Sequence, residues 1–231
     1  LLPQLTDLRP ALVLTEQQTA GRGRGSHVWW AASGALTFTL VIDAEILDIP
    51  EHRLPLASLS AGLAVRDVVE DQVGPRVPVQ IKWPNDVLIR ERKVAGILLE
   101  LKSVSAARSL MAGIGVNVNN SLTTAPTEVQ SVATSLFDTT GQTVDLTGVL
   151  TSLLNQLERR LRQLREDVSG VVNDLNSHHV LHDRPITVGV GDQRTSGVCR
   201  GIDGDGLLVL QTTTGERRFA GGTILSWESG Q

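Results

Sequence analysis

The hydrophobic pattern of this chain changes character at Pro185. Upstream, alternating apolar runs are interspersed with stretches whose apolar residues recur at helical spacing. Downstream, short strand-like runs alternate with Gly and Asp turns such as Asp203–Gly206, a pattern typical of a small β-barrel. We therefore predict two domains, an α+β domain over residues 1–183, built on a mixed sheet with helices, and a small β-barrel domain over residues 184–231.

Apolar periodicity also predicts individual elements within the larger domain. A period of two indicates strands, and a recurrence at three and four residues indicates amphipathic helices. The predicted strands are 11–15 (read as buried), 35–42, 79–81, 87–89, 94–99 and 109–118, with a hairpin turn at 90–92. The predicted helices are 56–69 and 146–164.

Composition narrows the classes of protein that remain. The net charge of −4 over 231 residues does not favour a DNA-binding protein, so an anion site has to be built locally. The single cysteine, Cys199, excludes an internal disulfide and is compatible with a reducing compartment. No apolar run approaches the roughly 20 residues of a membrane span, and no signal peptide is evident at Leu1–Gln4. The lack of an initial Met predicts a missing upstream segment.

The first candidate site is a run of glycines and arginines, Gly21-Arg22-Gly23-Arg24-Gly25. Glycines let backbone N–H groups approach an anion closely, and arginines bind carboxylates or phosphates in a bidentate manner. Three glycines in five residues also disfavour regular structure. For an isolated run of this kind, a flexible, solvated surface loop is the simpler interpretation.

The second candidate site is Lys82-Trp83-Pro84-Asn85-Asp86, followed by Lys93. Asp86 could pair with a lysine or bind a magnesium ion, and Lys93 opens a strand from which it could reach an anion. Taken singly, a solvated lysine and an ordinary turn remain the simpler interpretations. Strict alternation places Lys93 and Gly96 on opposite faces, so both can line one ligand only if the start of the strand is bent.

The third candidate site is one face of the strand at 109–118. Gly113, Gly115, Asn117 and Asn119 share that face. Interior strand glycines often mark the close approach of a ligand or of another backbone, and amides can recognise a purine or a ureido group. A packed strand whose glycines accommodate a helix is an equal alternative.

Other common sites are absent from the sequence. It contains no P-loop, no dinucleotide fingerprint and no nucleophile elbow. His178, His179 and His182 lie near the domain boundary, where solvated loop residues are the simpler interpretation. We interpret Cys199 as a structural thiol, away from the three candidate sites.

Taken together, the segments resemble the biotin–protein ligase family over nearly the whole chain. The matching residues are Gln18 with Ala20–Arg24 and Trp29, Lys82–Asp86 with Lys93–Leu98, Gly113–Asn117, and Arg200–Asp203 with Gly221-Gly222. The combination of Lys-Trp-Pro-Asn-Asp with Lys-x-Ala-Gly-Ile is highly specific. The Gly/Arg run alone is not.

The resemblance implies a class II synthetase-like catalytic domain followed by an SH3-like barrel. It also implies a cytoplasmic ligase that uses ATP and Mg²⁺ to convert biotin to biotinyl-5′-AMP and then biotinylates a lysine of a carboxylase's biotin carrier domain. By position it assigns catalytic roles to Arg24, Asp86 and Lys93; biotin contacts to Gln18, Gly21, Arg22, Gly23, Arg24, Lys93, Gly96 and Gly115; adenylate contacts to Arg22, Trp29, Lys93, Asn117 and Arg200; and a magnesium contact to Asp86.

Two departures from the family pattern stand out. The family's Ser-Thr-Asn triplet does not occur before Gln18, which agrees with a missing upstream segment, and Gly25–Val28 is less basic than in many bacterial members. The family often pairs subunits edge to edge, which leaves a homodimer open. A lipoate–protein ligase and a non-catalytic biotin-binding regulatory module are the alternatives. No helix pair for DNA recognition precedes Ala11, so we expect no specific DNA binding.

Overall fold

The computed structural model describes residues 10–25, 27–104 and 107–228. The strands are β1 (Ala11–Thr15), β2 (Leu36–Asp43), β3 (Val79–Lys82), β4 (Asp86–Ile89), β5 (Arg92–Val104), β6 (Ala107–Val116), β7 (Pro185–Val190), β8 (Gln193–Ile202), β9 (Leu208–Thr212), β10 (Gly215–Phe219) and β11 (Thr223–Trp227). The helices are α1 (Ala44–Leu47), α2 (Leu54–Val73), α3 (Thr127–Gln130), α4 (Leu136–Thr140), α5 (Leu146–Glu166) and α6 (Val168–His178).

Some of the sequence-based expectations fall outside these residues. The chain start, with its predicted lack of a signal peptide and of a DNA-recognition helix pair, lies there, as does Ser26. None of the described helices is both long and apolar enough to cross a membrane.

The first sheet has six strands in the order β1-β2-β6-β5-β4-β3. Its strand pairs are all antiparallel, so the prediction of a mixed sheet is wrong. The prediction of a buried first strand is also wrong, because Leu12 and Leu14 are 40% and 52% exposed. Strand β1 pairs with β2 alone at the end of the strand order, and such an edge strand keeps one side open to solvent.

One long helix, α2, covers one face of this sheet, and a second, α5, packs against α2. Helix α2 is buried on most of its surface because it lies between the sheet and α5, so its apolar residues extend beyond one stripe. Gly62 of α2 faces the sheet, where a Cβ would lie at an ordinary contact distance of 3.5 Å from Ile81 Cδ1. On the other side, Asp67 accepts hydrogen bonds from Arg159 and Arg160 of α5. Both predicted long helices are confirmed, each slightly longer than expected.

The β4–β5 hairpin turns where the sequence predicts. Arg90 and Glu91 both have positive φ, 48° and 64°, as the two central residues of a tight hairpin turn require. Strand β6 ends at Val116 rather than at Val118. Beyond it, the Asn119 side chain both donates to and accepts from the backbone of Val144, so this amide anchors a loop.

The second sheet has five strands in the order β10-β9-β8-β7-β11, again antiparallel. This confirms an all-β segment after Pro185, whereas its closure into an SH3-like barrel stays a prediction, as does the division into two domains. One continuous apolar cluster includes residues of both sheets, such as Ile81 and Cys199.

The segment that joins the two sheets contains one buried histidine, His179, which corrects the interpretation of that residue, whereas His178 is half-buried and His182 is exposed. His179 is only 5% exposed, so it is not a solvated loop residue. It forms a parallel bridge with Ile81, and Val180 N donates to Ile81 O at 2.9 Å. Cys199 is buried with its Sγ 4.0 Å from His179 Nδ1. Through His179 it lies next to β3 of the first sheet.

Candidate functional site

The three sequence-predicted segments line one cleft. Its volume is about 1030 Å³, comparable to the upper end of typical ligand pockets. The Gly/Arg loop, the 82–86 loop, the start of β5 and the glycine face of β6 all contribute, and Gly222, Thr223 and Ile224 add a wall from the second sheet. Segments far apart in the sequence therefore meet at one concave surface.

The Gly/Arg loop (residues 21–28, described without Ser26) is a short irregular hairpin. Isolated bridges pair Arg22 with Val28, and Gly23 N donates to His27 O at 2.8 Å. Gly21 is buried where its backbone meets Trp29 O and the Gln18 side chain, and a Cβ would lie 2.8 Å from Gln18 Oε1. Gly21 therefore allows close packing beside the cleft, while Arg22 and Gly23 line the cleft itself.

Arg24 turns from this loop into the cleft. Burial lowers the pKa of its guanidinium, and the nearby carboxylate of Asp86 opposes that effect. Arginine remains charged after such a shift. A Cβ at Gly221 would lie 3.1 Å from an Arg24 terminal nitrogen, so Arg24 also lies against the second sheet. The loop therefore places a permanent positive charge between the two sheets.

The floor of the cleft is a cross-strand pair of glycines. Gly96 of β5 lies opposite Gly115 of β6, and the Trp29 side chain covers both. A Cβ at Gly115 would come within 2.7 Å of Trp29 Nε1 and Cζ2, and one at Gly96 would lie 3.6 Å from Trp29 Cζ3. Trp29 Nε1 is buried without a hydrogen-bond partner among the described residues. The glycines thus make room for a flat group against the sheet.

Lys93 reaches this floor because β5 is bulged. Leu88 pairs with Lys93, whereas the preceding Val87 pairs with Ala95, so Val94 is the extra residue. The Lys93 backbone bonds instead to a neighbouring segment: its N–H donates to Val132 O at 2.8 Å. Lys93 Nζ then lies 3.1 Å from a Cβ built on Gly96. The bent strand start that the sequence required is therefore present.

Asp86 and Lys93 form an ion pair at the centre of the cleft. Lys93 Nζ lies 2.6 Å from Asp86 Oδ1, and it is 5.7 Å from the centre of the Trp29 ring. Oδ1 is buried, and its partner among the described residues is the Lys93 ammonium. A ligand donor or a cation that binds this oxygen therefore has to share it with Lys93 or displace Lys93.

Lys82 is a further cation of the cleft, for which the sequence predicts no role. Burial lowers the pKa of its ammonium most, with a like-charge contribution from Lys93, while Asp86 acts in the opposite direction. Its Nζ lies 5.0 Å from the centre of the Trp227 ring, at the end of β11. The signal was present, since Lys82 opens the second candidate motif, but its contact with Trp227 is non-local.

Two family models of known proteins match this chain, one over each part of it. A family model described as "Biotin/lipoate A/B protein ligase family" matches residues 3–119, and one described as "Biotin protein ligase C terminal domain" matches residues 181–226. The chain belongs to the biotin/lipoate A/B protein ligase family. The first match contains the Gly/Arg loop, the 82–86 loop, Lys93 and the glycine floor.

Relatives within the family are similar over most of the chain. The "Biotin--[acetyl-CoA-carboxylase] ligase" of Mycobacterium tuberculosis is 35% identical over 206 residues, 88% of this chain and 74% of that protein. The "Bifunctional ligase/repressor BirA" of Bacillus subtilis is 33% identical over 218 residues, 90% of this chain. This chain spans only 63% of that protein's length.

A solved family structure has the same fold. It is the biotin protein ligase from Aquifex aeolicus in complex with biotin and ATP, which superimposes with a TM-score of 0.81 at 27% identity and covers 95% of this chain and 89% of the other. The biotin protein ligase from Leishmania major in complex with biotinyl-5-AMP has a TM-score of 0.60 at 21% identity, which supports the fold alone.

Most of the residues assigned by resemblance to this family line the cleft, Gly21 and Arg200 do not, and Asn117 lines it with its side-chain amide already paired. Those lining it are Gln18, Arg22, Gly23, Arg24, Trp29, Asp86, Lys93, Gly96, Gly115 and Asn117. Gly21 lies behind the lining. Asn117 is 3% exposed, donates to Thr134 O and accepts from Asn120. Arg200 is outside the lining, where it pairs with Asp183 at 2.7 Å.

Proposed function

We propose that this protein activates biotin with ATP and transfers it to a lysine of a biotin carrier domain. The observation that carries the proposal is the convergence of Arg24, Lys82 and Lys93 around Asp86, above a floor of Gly96 and Gly115. These cations in one cleft, together with Arg22 of the lining, suit a reaction that joins a carboxylate to a triphosphate. The relatives from Mycobacterium tuberculosis and Aquifex aeolicus support the substrates by their names.

The first step joins two anions. A carboxylate oxygen of biotin attacks the α-phosphorus of ATP, the bond to the β-phosphate breaks, and pyrophosphate leaves with the electron pair. Two unit charges 4 Å apart repel by about 4 kcal/mol at an effective dielectric constant of 20. Lys93 lies over the glycine floor where it can contact both groups, and its positive charge offsets that repulsion. Its role is electrostatic and positional.

Arg24 and Lys82 extend the positive surface on either side of Lys93. Arg24 lies beside Gly221 of the second sheet, and Lys82 lies against Trp227. We assign Arg24 to the nucleotide phosphates and to retention of the intermediate, and Lys82 to the leaving pyrophosphate. In this scheme Arg22 and Trp29 contact the adenylate, while Gln18, Gly21, Gly23, Gly96 and Gly115 shape the biotin side.

A magnesium ion fits the site in a limited way. Asp86 is a carboxylate in the cleft whose buried Oδ1 pairs with Lys93 at 2.6 Å, and within the described residues no group of three or more His, Cys, Asp or Glu side chains could hold a metal ion. Mg²⁺ is often held by one carboxylate together with substrate phosphates. Asp86 would supply that carboxylate, and the ion, when bound with ATP, would neutralise phosphate charge.

The second step makes the amide bond. The neutral ε-amine of the carrier lysine attacks the acyl carbon of biotinyl-5′-AMP, the bond to the phosphate oxygen breaks, and AMP leaves while the nitrogen loses a proton to solvent. The carrier domain of a biotin-dependent carboxylase is the proposed partner, in the cytoplasm. The SH3-like barrel, a homodimer and the absence of specific DNA binding remain part of the proposal.

The test measures the two steps separately on the intact protein. Biotin-dependent exchange of labelled pyrophosphate into ATP reports the first step, and label transfer from biotin to a purified carrier domain reports the second. We expect exchange with biotin and none with lipoate. Exchange that depends on lipoate would establish a lipoate ligase, and biotin binding without exchange or AMP release would establish a non-catalytic module.

A further inference from the structure

His179 lies between the two sheets, beside the strand that leads into the cleft. Its side chain is buried, and its backbone runs parallel to Ile81 at the end of β3. The hydrogen bond from Val180 N to Ile81 O fixes this register. The His179 ring therefore faces the first residues of the 82–86 loop, although it is about a hundred residues away in the sequence.

The ring makes a hydrogen bond of defined direction. Trp83 N–H donates to His179 Nε2 at 3.3 Å, so Nε2 carries no proton and the neutral ring holds its proton on Nδ1. Nδ1 faces Cys199 Sγ at 4.0 Å. Burial lowers the pKa of His179 to about 3, with a smaller contribution from the charge of His182. The imidazole therefore stays neutral at any ordinary working pH and keeps its acceptor.

The 82–86 loop is held from both ends. Asn85 Nδ2 donates to Ile97 O at 2.8 Å, and Ile97 N donates to Asn85 O at 2.9 Å, which ties the loop to β5. At the other end, the buried N–H of Trp83 bonds to His179. A buried N–H without a partner is costly, so loss of this acceptor favours a shifted loop. Asp86, which pairs with Lys93, follows directly.

We infer that His179 is a positioning residue for the adenylation step, acting through the Trp83 N–H to hold Asp86 and Lys93 in register above the glycine floor. The inference rests on the proposed function. A positioning role differs from a purely structural one because the effect on the adenylation rate comes from a single acceptor atom, Nε2 of His179. A side chain that restores the acceptor at the same distance from the backbone should restore the activity, whatever its aromaticity.

Three variants isolate that atom. His179→Phe keeps a ring of similar size and removes the acceptor. His179→Gln places a carbonyl oxygen at the reach of Nε2, whereas the oxygen of His179→Asn is one bond too short. We expect His179→Phe and His179→Asn to lower kcat of biotin-dependent exchange by about 10- to 100-fold, as losses of supporting hydrogen bonds do at catalytic sites. We expect the KM for biotin to change by less than about threefold and His179→Gln to recover most of kcat.

A control and an independent readout complete the test. Cys199→Ala disturbs the packing on the other side of the same ring without removing the acceptor, so its kcat should stay within about twofold of wild type. Amide hydrogen exchange at Trp83, followed by NMR, should be faster in the Phe and Asn variants and slow in the Gln variant. This readout does not need enzymatic activity.

Each outcome decides something. A folded His179→Phe variant with wild-type kcat overturns the inference, and so does a Gln variant as slow as Phe or a Cys199→Ala variant that loses as much. If the wild-type protein itself shows no exchange, the proposed function fails. The Trp83 amide measurement then still reports on whether His179 holds the loop.

Discussion

The two loops that carry the positive charges of the cleft are held in opposite ways. The 82–86 loop is tied to buried partners at both ends, by Trp83 to His179 and by Asn85 to Ile97. The backbone hydrogen bonds described for the Gly/Arg loop run within it, as between Gly23 and His27, or join its first residue, Gly21, to the adjoining Trp29. The difference assigns them separate tasks. The first can fix the reacting groups, and the second can open and close without unpacking the core.

The largest effect is expected at Lys93 of β5, which pairs with Asp86 of the firmly held 82–86 loop. Lys93→Ala should lower biotin-dependent pyrophosphate exchange by about 10²- to 10³-fold, the size of effect seen when one preorganised stabilising group is removed. Its side chain is partly exposed, so thermal unfolding should hardly change. Lys102→Ala, in the same strand but paired with Glu100, is the matched control. Near-normal exchange by Lys93→Ala would remove Lys93 from the chemistry.

A smaller effect is expected at the glycine floor. Gly115→Ala places a Cβ about 2.7 Å from two atoms of Trp29, so the indole has to move. Overpacking of this kind costs about 1–3 kcal/mol, which predicts roughly a 5- to 150-fold rise in the KM for biotin or ATP. Gly113→Ala, two residues away on the same strand, meets nothing closer than 3.5 Å and should bind normally. Equal KM values for the two variants would contradict the role of the floor.

The buried support of the fixed loop predicts a pH dependence of stability. The pKa of His179 is about 3 in the folded protein because of burial, against about 6.5 in an unfolded chain. Between these values the unfolded state binds the extra proton, so the free energy of unfolding falls as the pH drops below about 6.5, by up to about 1.4 kcal/mol per pH unit.

Urea unfolding between pH 4 and 8 checks this slope. His179→Gln cannot take up the proton, so its stability should depend on pH less steeply by about that amount. The same slope in both proteins would show that His179 does not titrate as its burial requires. Stability that rises toward acid pH would contradict the sign.

The mildest effects are expected in the Gly/Arg loop. The protein should be cut by trypsin after Arg22 or Arg24 several-fold more slowly with biotin and ATP, because an anion between the arginines orders the loop. Arg24→Gly should still form biotinyl-5′-AMP but release it, so lysines outside the carrier become biotinylated. Equal cleavage rates with and without ligands would contradict ordering, and unchanged carrier selectivity would contradict retention.

The sequence predicts the local part of this structure well. The two long helices, the hairpin at Arg90–Glu91 and the all-β segment after Pro185 follow from periodicity and turn residues. The bend at Lys93 could be stated as a requirement, but its cause could not be predicted. The Lys93 backbone bonds to Val132 and Thr134, and such pairing between distant segments leaves no trace in the spacing of apolar residues.

The missed features share a non-local origin. The exposure of Leu12 and Leu14 depends on which strand ends up at the edge of the sheet. Lys82 belongs to the second candidate motif, but its place in the cleft depends on Trp227 in the second sheet. The position of His179 near the predicted domain boundary favours a loop residue, and only the packing of the two sheets buries it.

The most direct test of the division between the loops is pyrophosphate exchange measured side by side for three proteins: wild type, Lys93→Ala and Arg24→Gly. The account predicts that Lys93→Ala loses nearly all biotin-dependent exchange. Arg24→Gly should keep exchange within about tenfold of wild type, because charge stabilisation at the reacting atoms comes from Lys93, which pairs with Asp86 of the firmly held 82–86 loop. Loss of exchange in Arg24→Gly together with its survival in Lys93→Ala would contradict the account.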